Sequence, residues 1–241
     1  MYKRYGGKFY CFSPPVMLLT FVLEFVMLFY TLWRYKLAEF TRVAVIFLAC
    51  LGIFQLAQYM ICGGLGMDHV GWVQLGYSAI TLLPPLGLHM VTIIAKKRAW
   101  PLLAVAYATG LAYVAYFIIA GPSVITRQCA PNYTVFNMSG DGYLYYGIFY
   151  YGWLLVTIAL AALWARLQPK QALALRWMVA GYAVFIIPTT LANLVDPATI
   201  AAIPSIMCGF AILCALIIVW RVLPLIKAPV RIEAKAKRKH A

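Results

Sequence analysis

The sequence predicts an all-α integral membrane protein: a seven-transmembrane helix bundle with its N-terminus outside and its C-terminus cytoplasmic. Three observations carry this expectation. Of the 241 residues, 65% are hydrophobic and only 11% charged, with a mean hydropathy of +0.86, whereas a soluble domain carries about 25% charged residues. Seven apolar runs reach, or nearly reach, the roughly 20 residues that a bilayer crossing needs. The cations are also one-sided. With seven crossings, Lys3, Arg4, Lys8 and Arg127 fall on one side and the other sixteen of the 20 lysines and arginines on the opposite side. Lysine and arginine accumulate in cytoplasmic loops, so the net charge of +14 reads as orientation and headgroup contact. No nucleic-acid partner is expected.

Residues 1–13 form an extracytoplasmic segment, residues 14–223 the membrane domain and residues 224–241 a basic cytoplasmic tail. Positions 1–12 are basic and aromatic, and no small-residue cleavage site follows the first apolar run, so no cleavable signal peptide is expected. Ser13-Pro14-Pro15 reads as an N-cap followed by prolines that a first helical turn tolerates. The first crossing then covers 16–33 and ends at Arg34 and Lys36. The second covers 43–62, before the glycine-rich turn 63–66. The third, 72–95, is the segment around which the others are organised. It carries Pro84-Pro85 in its middle, a lone histidine at His89, and Lys96-Lys97-Arg98 at its end. The fourth covers 101–120, and a long loop follows over 121–142. The fifth covers 143–165, the sixth 177–195 and the seventh 203–222.

Polar groups at membrane depth are the first functional candidates, because each charge there costs roughly 2.5–3.5 kcal/mol on insertion scales. Glu24 lies about eight residues inside the first crossing, or about 12 Å. Gln55 and Gln58 reach a similar depth on the second and share a face with Cys62 through their three- and four-residue spacings. The spacing allows Glu24, Gln55 and Gln58 to form one polar cluster between neighbouring helices. His89 sits nearer the cytoplasmic end. Pro84 and Pro85 remove the amide donors that would have bonded the carbonyls of Ile80 and Thr81, which marks this segment as a hinge candidate beside a cavity. Pro188, Thr189, Thr190 and Asn193 of the sixth crossing read as backbone repair around a proline.

The fifth crossing opens with YLYYGIFYYGW. An interfacial belt accounts for Tyr143, Tyr145 and Tyr146. Tyr150, Tyr151 and Trp153 lie deeper, and with Tyr113 and Tyr116 of the fourth crossing and Tyr77 of the third they are expected to line an outward-facing apolar pocket. Cys50, Cys208 and Cys214 read as small packing residues within spans. Cys11, Cys62 and Cys129 fall at or beyond the outer surface, where disulfides persist. Either a Cys62–Cys129 or a Cys11–Cys129 bond would tie down the long loop. Asn132 and Asn137 head glycosylation sequons, which matter only in a eukaryotic secretory pathway.

Several classes are disfavoured. The three histidines, His69, His89 and His240, never pair within a span, which disfavours bis-histidine haem. No His-Glu-x-x-His motif or histidine–carboxylate cluster offers a metal site. No lysine inside the last crossing offers a retinal attachment point. An enzyme is not expected, nor is a cofactor or metal.

Trp72, Gly76 and Tyr77 opening the third crossing, LLPPLGLHMV behind them, and LQPKQALALRWMVAGYAVFIIP leading into the sixth together resemble the N-terminal seven-helix membrane sensor region of bacterial histidine kinases. The likeness covers roughly 14–223. It implies a sensor module of the inner (plasma) membrane. Those proteins continue into a kinase or cyclase, so here the resemblance implies output through a separate protein partner, in the membrane or at its cytoplasmic face. The expected function is receptor-like: a small apolar or amphipathic ligand would bind from the outer side. The rival expectations are an accessory subunit of a larger membrane complex and a small transporter coupled to protons through Glu24.

Overall fold

The computed structural model describes residues 14–62, 69–129, 134–138 and 142–226. Within these, seven helical segments are long and apolar enough to cross a membrane, so the chain reads as a multi-pass membrane protein. Helix α1 spans Pro14–Arg34 and α2 spans Glu39–Cys62. The third crossing consists of two helices, α3 (His69–Thr81) and α4 (Leu83–Ala95). After α5 (Trp100–Val124) come two short strands, then α6 (Gly142–Leu167), α7 (Ala172–Val195) and α8 (Ile203–Ile217). The last continues through a π-helical turn, Ile218–Val222, into Leu223–Leu225. The expected outer segment 1–13 and most of the tail lie outside the described residues.

Two helices start earlier than the apolar runs predict, α2 at Glu39 and α7 at Ala172. The hydropathic run marks where lipid begins, whereas the backbone ladder continues through a polar turn. The Arg42 amide, for instance, donates to the Ala38 carbonyl at 2.9 Å.

The third crossing is the axis of the bundle. Inside its most apolar window 78% is buried, against 22% for α5 and 28% for α7. α2 packs against both α3 and α4, α5 leans mainly on α3, and α6 on α7 and α4. α7 and α8 pack together, and α8 returns to touch α1 and α2. Leu19, Phe29 and Trp33 of α1, Ile119 of α5 and Leu194 of α7 are exposed, as a lipid-facing surface requires. Lipid is as apolar as leucine, so close helix approach depends on small residues. Gly52 supplies one such approach, since a methyl group there would come within 2.5 Å of the Phe25 ring. At Gly76 a methyl would meet Ala57 Cβ at 3.0 Å.

The break in the third crossing falls at Leu82, two residues before the prolines. Neither Pro84 nor Pro85 has an amide hydrogen, so the ladder cannot pass through Ile80 and Thr81. The chain instead makes a tighter bond, from the Leu82 amide to the Ala79 carbonyl at 3.2 Å, and restarts with Leu86 donating to Leu82 at 3.1 Å. Both prolines thus occupy the first turn of α4, where missing donors matter least. The crossing ends in a left-handed Lys96, φ 51°, with Lys97 donating back to the Thr92 carbonyl at 3.1 Å.

The stretch 121–142, expected as a loop, is more ordered. α5 runs four residues further, to Val124, and β1 (Ile125–Cys129) pairs antiparallel with β2 (Thr134–Met138). Ile125 faces Met138 and Cys129 faces Thr134. ITRQC and TVFNM contain β-branched residues suited to strands, but five residues are too few for a period to be read. β2 lies against the 3₁₀ turn Pro197–Ala202 and the start of α8. The membrane portion is therefore helical, and a hairpin sits at one end of it. The opposite end carries Arg34, Lys36, Arg42, Lys96, Lys97, Arg98, Arg166, Lys170 and Arg176.

Candidate binding cleft and the buried polar groups around it

α5 and α6 each rest on one half of the broken crossing but scarcely touch one another. Toward the hairpin end this leaves a cleft of about 380 Å³ between them, lined by Ala112, Tyr113, Tyr116, Phe117, Gly142, Tyr145 and Tyr146. Its size lies at the lower end of ligand pockets, roughly 300–1,000 Å³. Deeper along both helices the gap closes. There the Trp153 indole nitrogen donates to Thr109 Oγ1 at 3.1 Å.

Of the residues expected to line one pocket, only Tyr113 and Tyr116 line this cleft. Tyr77 is buried behind it, with ring centroids 5.0 Å from Phe117 and 5.9 Å from Tyr146. Tyr150 is buried against Tyr146 at 5.9 Å and Tyr151 meets Tyr150 edge-on at 6.3 Å. Trp153 is occupied with Thr109. Tyr77, Tyr150, Tyr151 and Trp153 thus stand behind the cleft and not along its lining. One turn of α6 decides this: Tyr150 lies four residues beyond Tyr146, on the same face but nearer the centre.

Sequence reasoning missed Phe117, Tyr145 and Tyr146 as walls. Tyr146, expected in an interfacial belt, is buried and packs edge-on against Tyr113 at 5.4 Å. Its hydroxyl also reaches the break. Thr81 Oγ1 donates to the Tyr77 carbonyl at 2.6 Å, so it accepts from the Tyr146 hydroxyl, 3.0 Å away. Thr81 is the last residue of α3. Gly110 of α5 faces the far side of the break, where an added methyl would lie 3.4 Å from Pro85 and 3.7 Å from the Thr81 carbonyl. The hinge candidates Pro84 and Pro85 are thus flanked by both cleft helices.

His89 belongs to a different place. Its Nδ1 lies 3.0 Å from the Tyr107 hydroxyl, and the rings meet edge-on at 5.9 Å. Glu39, in the first turn of α2, is near enough to act on it electrostatically. His89 therefore sits on the basic side of the break and not in the cleft. Its partner Tyr107 comes from another helix, which no spacing within the third crossing reveals.

Glu24, Gln55 and Gln58 are all buried, with 0%, 2% and 1% of their surface exposed. α1 packs against α2 at Glu24, whose Cβ lies 3.8 Å from where a methyl on Gly52 would sit. Gln55 is three residues along the same face. Cys208 of α8 is close enough to feel Glu24 electrostatically. No hydrogen bond joins the expected cluster, however. Both carboxyl oxygens of Glu24 and the amide nitrogens of Gln55 and Gln58 lack partners among the described residues. On α7, Thr189 and Thr190 donate to the Phe185 and Ile186 carbonyls at 2.7 and 2.9 Å, one and two residues beyond the Val184 carbonyl that Pro188 leaves without its helical donor.

Cys62 is disulfide-bonded, and Cys50, Cys208 and Cys214 are free and buried. Cys11 and the side chain of Cys129, its two candidate partners, lie outside the described residues, as do the sequon side chains of Asn132 and Asn137. Among the described residues no group of three or more histidine, cysteine, aspartate or glutamate side chains is placed to hold a metal ion. No protein-family model, curated protein or solved structure matches the chain.

Proposed function

We propose that this is a receptor-like seven-helix membrane sensor module of the inner (plasma) membrane. In this reading it is not an enzyme, its N-terminus is outside, and a small apolar or amphipathic ligand enters the α5–α6 cleft from the outer side. One observation carries the reading: Tyr146 is at once a wall of the cleft and, through Thr81, a hydrogen-bonding partner of the residue that ends α3. A ligand that displaces the Tyr146 ring acts directly on the break. Because α4 restarts independently at Leu83, a change there can tilt the basic half of the crossing, carrying His89 and Tyr107 with it. The resemblance to kinase sensor regions agrees with such a path, with output passing to a protein partner.

The test is a thermal-shift screen of the purified full chain in lipid nanodiscs against small aromatic amphiphiles and fatty acids. Compounds that stabilise the wild type are expected to lose most of that effect on Tyr113→Ala or Tyr116→Ala. Thr81→Val is expected to leave their affinity nearly unchanged while removing the accompanying change in accessibility of a reporter at the basic end. Stabilisation indifferent to all three substitutions would overturn the reading. So would mild extraction that always yields one fixed complex whose subunits cover the cleft.

A further inference from the structure

We propose that Glu24, with the amides of Gln55 and Gln58, forms a proton-binding site at the junction of α1, α2 and α8, exchanging its proton through bridging water. This is independent of the cleft reading. A glutamate kept only to hold helices together would show its bonds, because interhelical hydrogen bonding is what such a residue contributes. Glu24 is fully buried and shows none among the described residues, where two amide nitrogens on α2, the helix packed against α1, are equally without partners.

The unmet needs are complementary. Glu24 offers acceptors and the two amides offer N–H donors, so water placed between them satisfies both sides. The donors suit the carboxylate, since hydrogen bonds to a charged form favour it. A proton suits the closed site, since an isolated carboxylate away from water is expensive. Both states therefore have a chemical provision, as exchange requires. In the exchange the carboxyl O–H bond breaks, the bridging water takes the proton, and the amide N–H groups bond the carboxylate left behind. Recovery of a proton from that water reverses each step.

Among the described residues no charged group stands close enough to replace the proton as counter-charge. On α1 itself, Arg34 is ten residues away, about 15 Å along the helix. On α2, Arg42 is ten residues from Gly52, again about 15 Å, and Glu39 lies further. On α8, Arg221 is thirteen residues from Cys208, about 20 Å. The nearer titratable groups along these helices are Cys208 on α8, Cys50 and Tyr59 on α2, and Tyr30 on α1.

The experiment is infrared difference spectroscopy of the full chain in nanodiscs of a zwitterionic lipid, titrated with acid and base. The expected result is a protonated-carboxyl carbonyl band, sensitive to deuterium exchange, that changes with pH and is missing from Glu24→Gln. Gln55→Leu and Gln58→Leu are expected to move its midpoint to higher pH. Should Glu24→Gln not fold, Glu24→Asp is expected to keep a titrating band at an altered position. A Glu24 band that never changes with pH would mean a permanently neutral packing group and overturn the proposal. A band displaced by sodium or potassium chloride at fixed pH would assign the site to a metal cation and overturn it equally.

Discussion

Gly87 and Tyr182 form a pair whose fit is set by single atoms. Gly87 of α4 leaves the space into which the Tyr182 hydroxyl of α7 projects, and a methyl group there would overlap that oxygen. The hydroxyl is buried and unpartnered among the described residues, a situation that costs roughly 1–3 kcal/mol. Tyr182→Phe is therefore expected to stabilise the bundle by about 1 kcal/mol, measured by unfolding in mixed detergent micelles. Gly87→Ala is expected to destabilise it, and the double variant to recover only part of the loss, because the ring carbon would still be crowded at 3.0 Å. Tyr146→Phe makes a milder test. It removes one bond to Thr81, and interhelical bonds in membranes average about 0.6 kcal/mol, so stability should fall by about that amount while any cleft ligand still binds. A fall of several kcal/mol would mean that Tyr146 acts as a structural core residue and not as a link between cleft and break.

The broken third crossing shows what a sequence discloses at the level of an element and what it leaves out. Two adjacent prolines announce a break, because their missing amides are a covalent fact. Its position at Leu82 follows from the turn the chain adopts upstream, and the 3₁₀-like bond from Leu82 to Ala79 is not encoded in any one residue. Glu24, Gln55 and Gln58 were legible as buried because their helix and depth follow from counting. That they do not bond one another depends on side-chain placement across an interface, which counting cannot give. The cleft was half legible for the same reason: Tyr113 and Tyr116 were found through their helix, whereas Tyr146 was hidden within a tyrosine-rich run. Placement of the prolines also decides a prediction. A proline within a continuous helix costs about 3 kcal/mol, but these sit in the first turn of α4, where that penalty is largely absent. The Pro84→Ala, Pro85→Ala double variant is thus expected to change stability by well under about 3 kcal/mol, while letting α3 and α4 join. Amide exchange at Pro84→Ala and Pro85→Ala, with the exchange of Leu82, reports the joining. Ligand-driven change at the basic end should then disappear. A large gain in stability with the response intact would show that the break is merely tolerated.

At the scale of the whole molecule, two separate observations bear on which way the bundle faces. Sixteen of the 20 lysines and arginines gather on one side of seven crossings, and such asymmetry sets orientation during insertion. At the other end of the second crossing, Cys62 is disulfide-bonded, and structural disulfides persist in oxidising compartments outside the cytoplasm. In the proposed orientation the hairpin and the mouth of the cleft lie outside and the basic loops inside, and the two arguments for it rest on unrelated chemistry. Reporter cysteines introduced as Tyr2→Cys and His240→Cys test the orientation in intact cells with a membrane-impermeant maleimide. Tyr2→Cys should label at once and His240→Cys only after permeabilisation. Labelling of both from one side would require an even number of crossings and dismantle the bundle together with its cleft. The disulfide adds a stability prediction on the same face. Cross-links of long loops contribute roughly 2–4 kcal/mol, so Cys62→Ser should lower the unfolding midpoint correspondingly, and a reductant should match it. Peptide mapping of the unreduced protein distinguishes Cys11 from Cys129 as the partner. A bond to Cys129 would anchor the hairpin beside α2, which makes the outer rim of the cleft sensitive to reduction, whereas a bond to Cys11 would leave that rim unaffected.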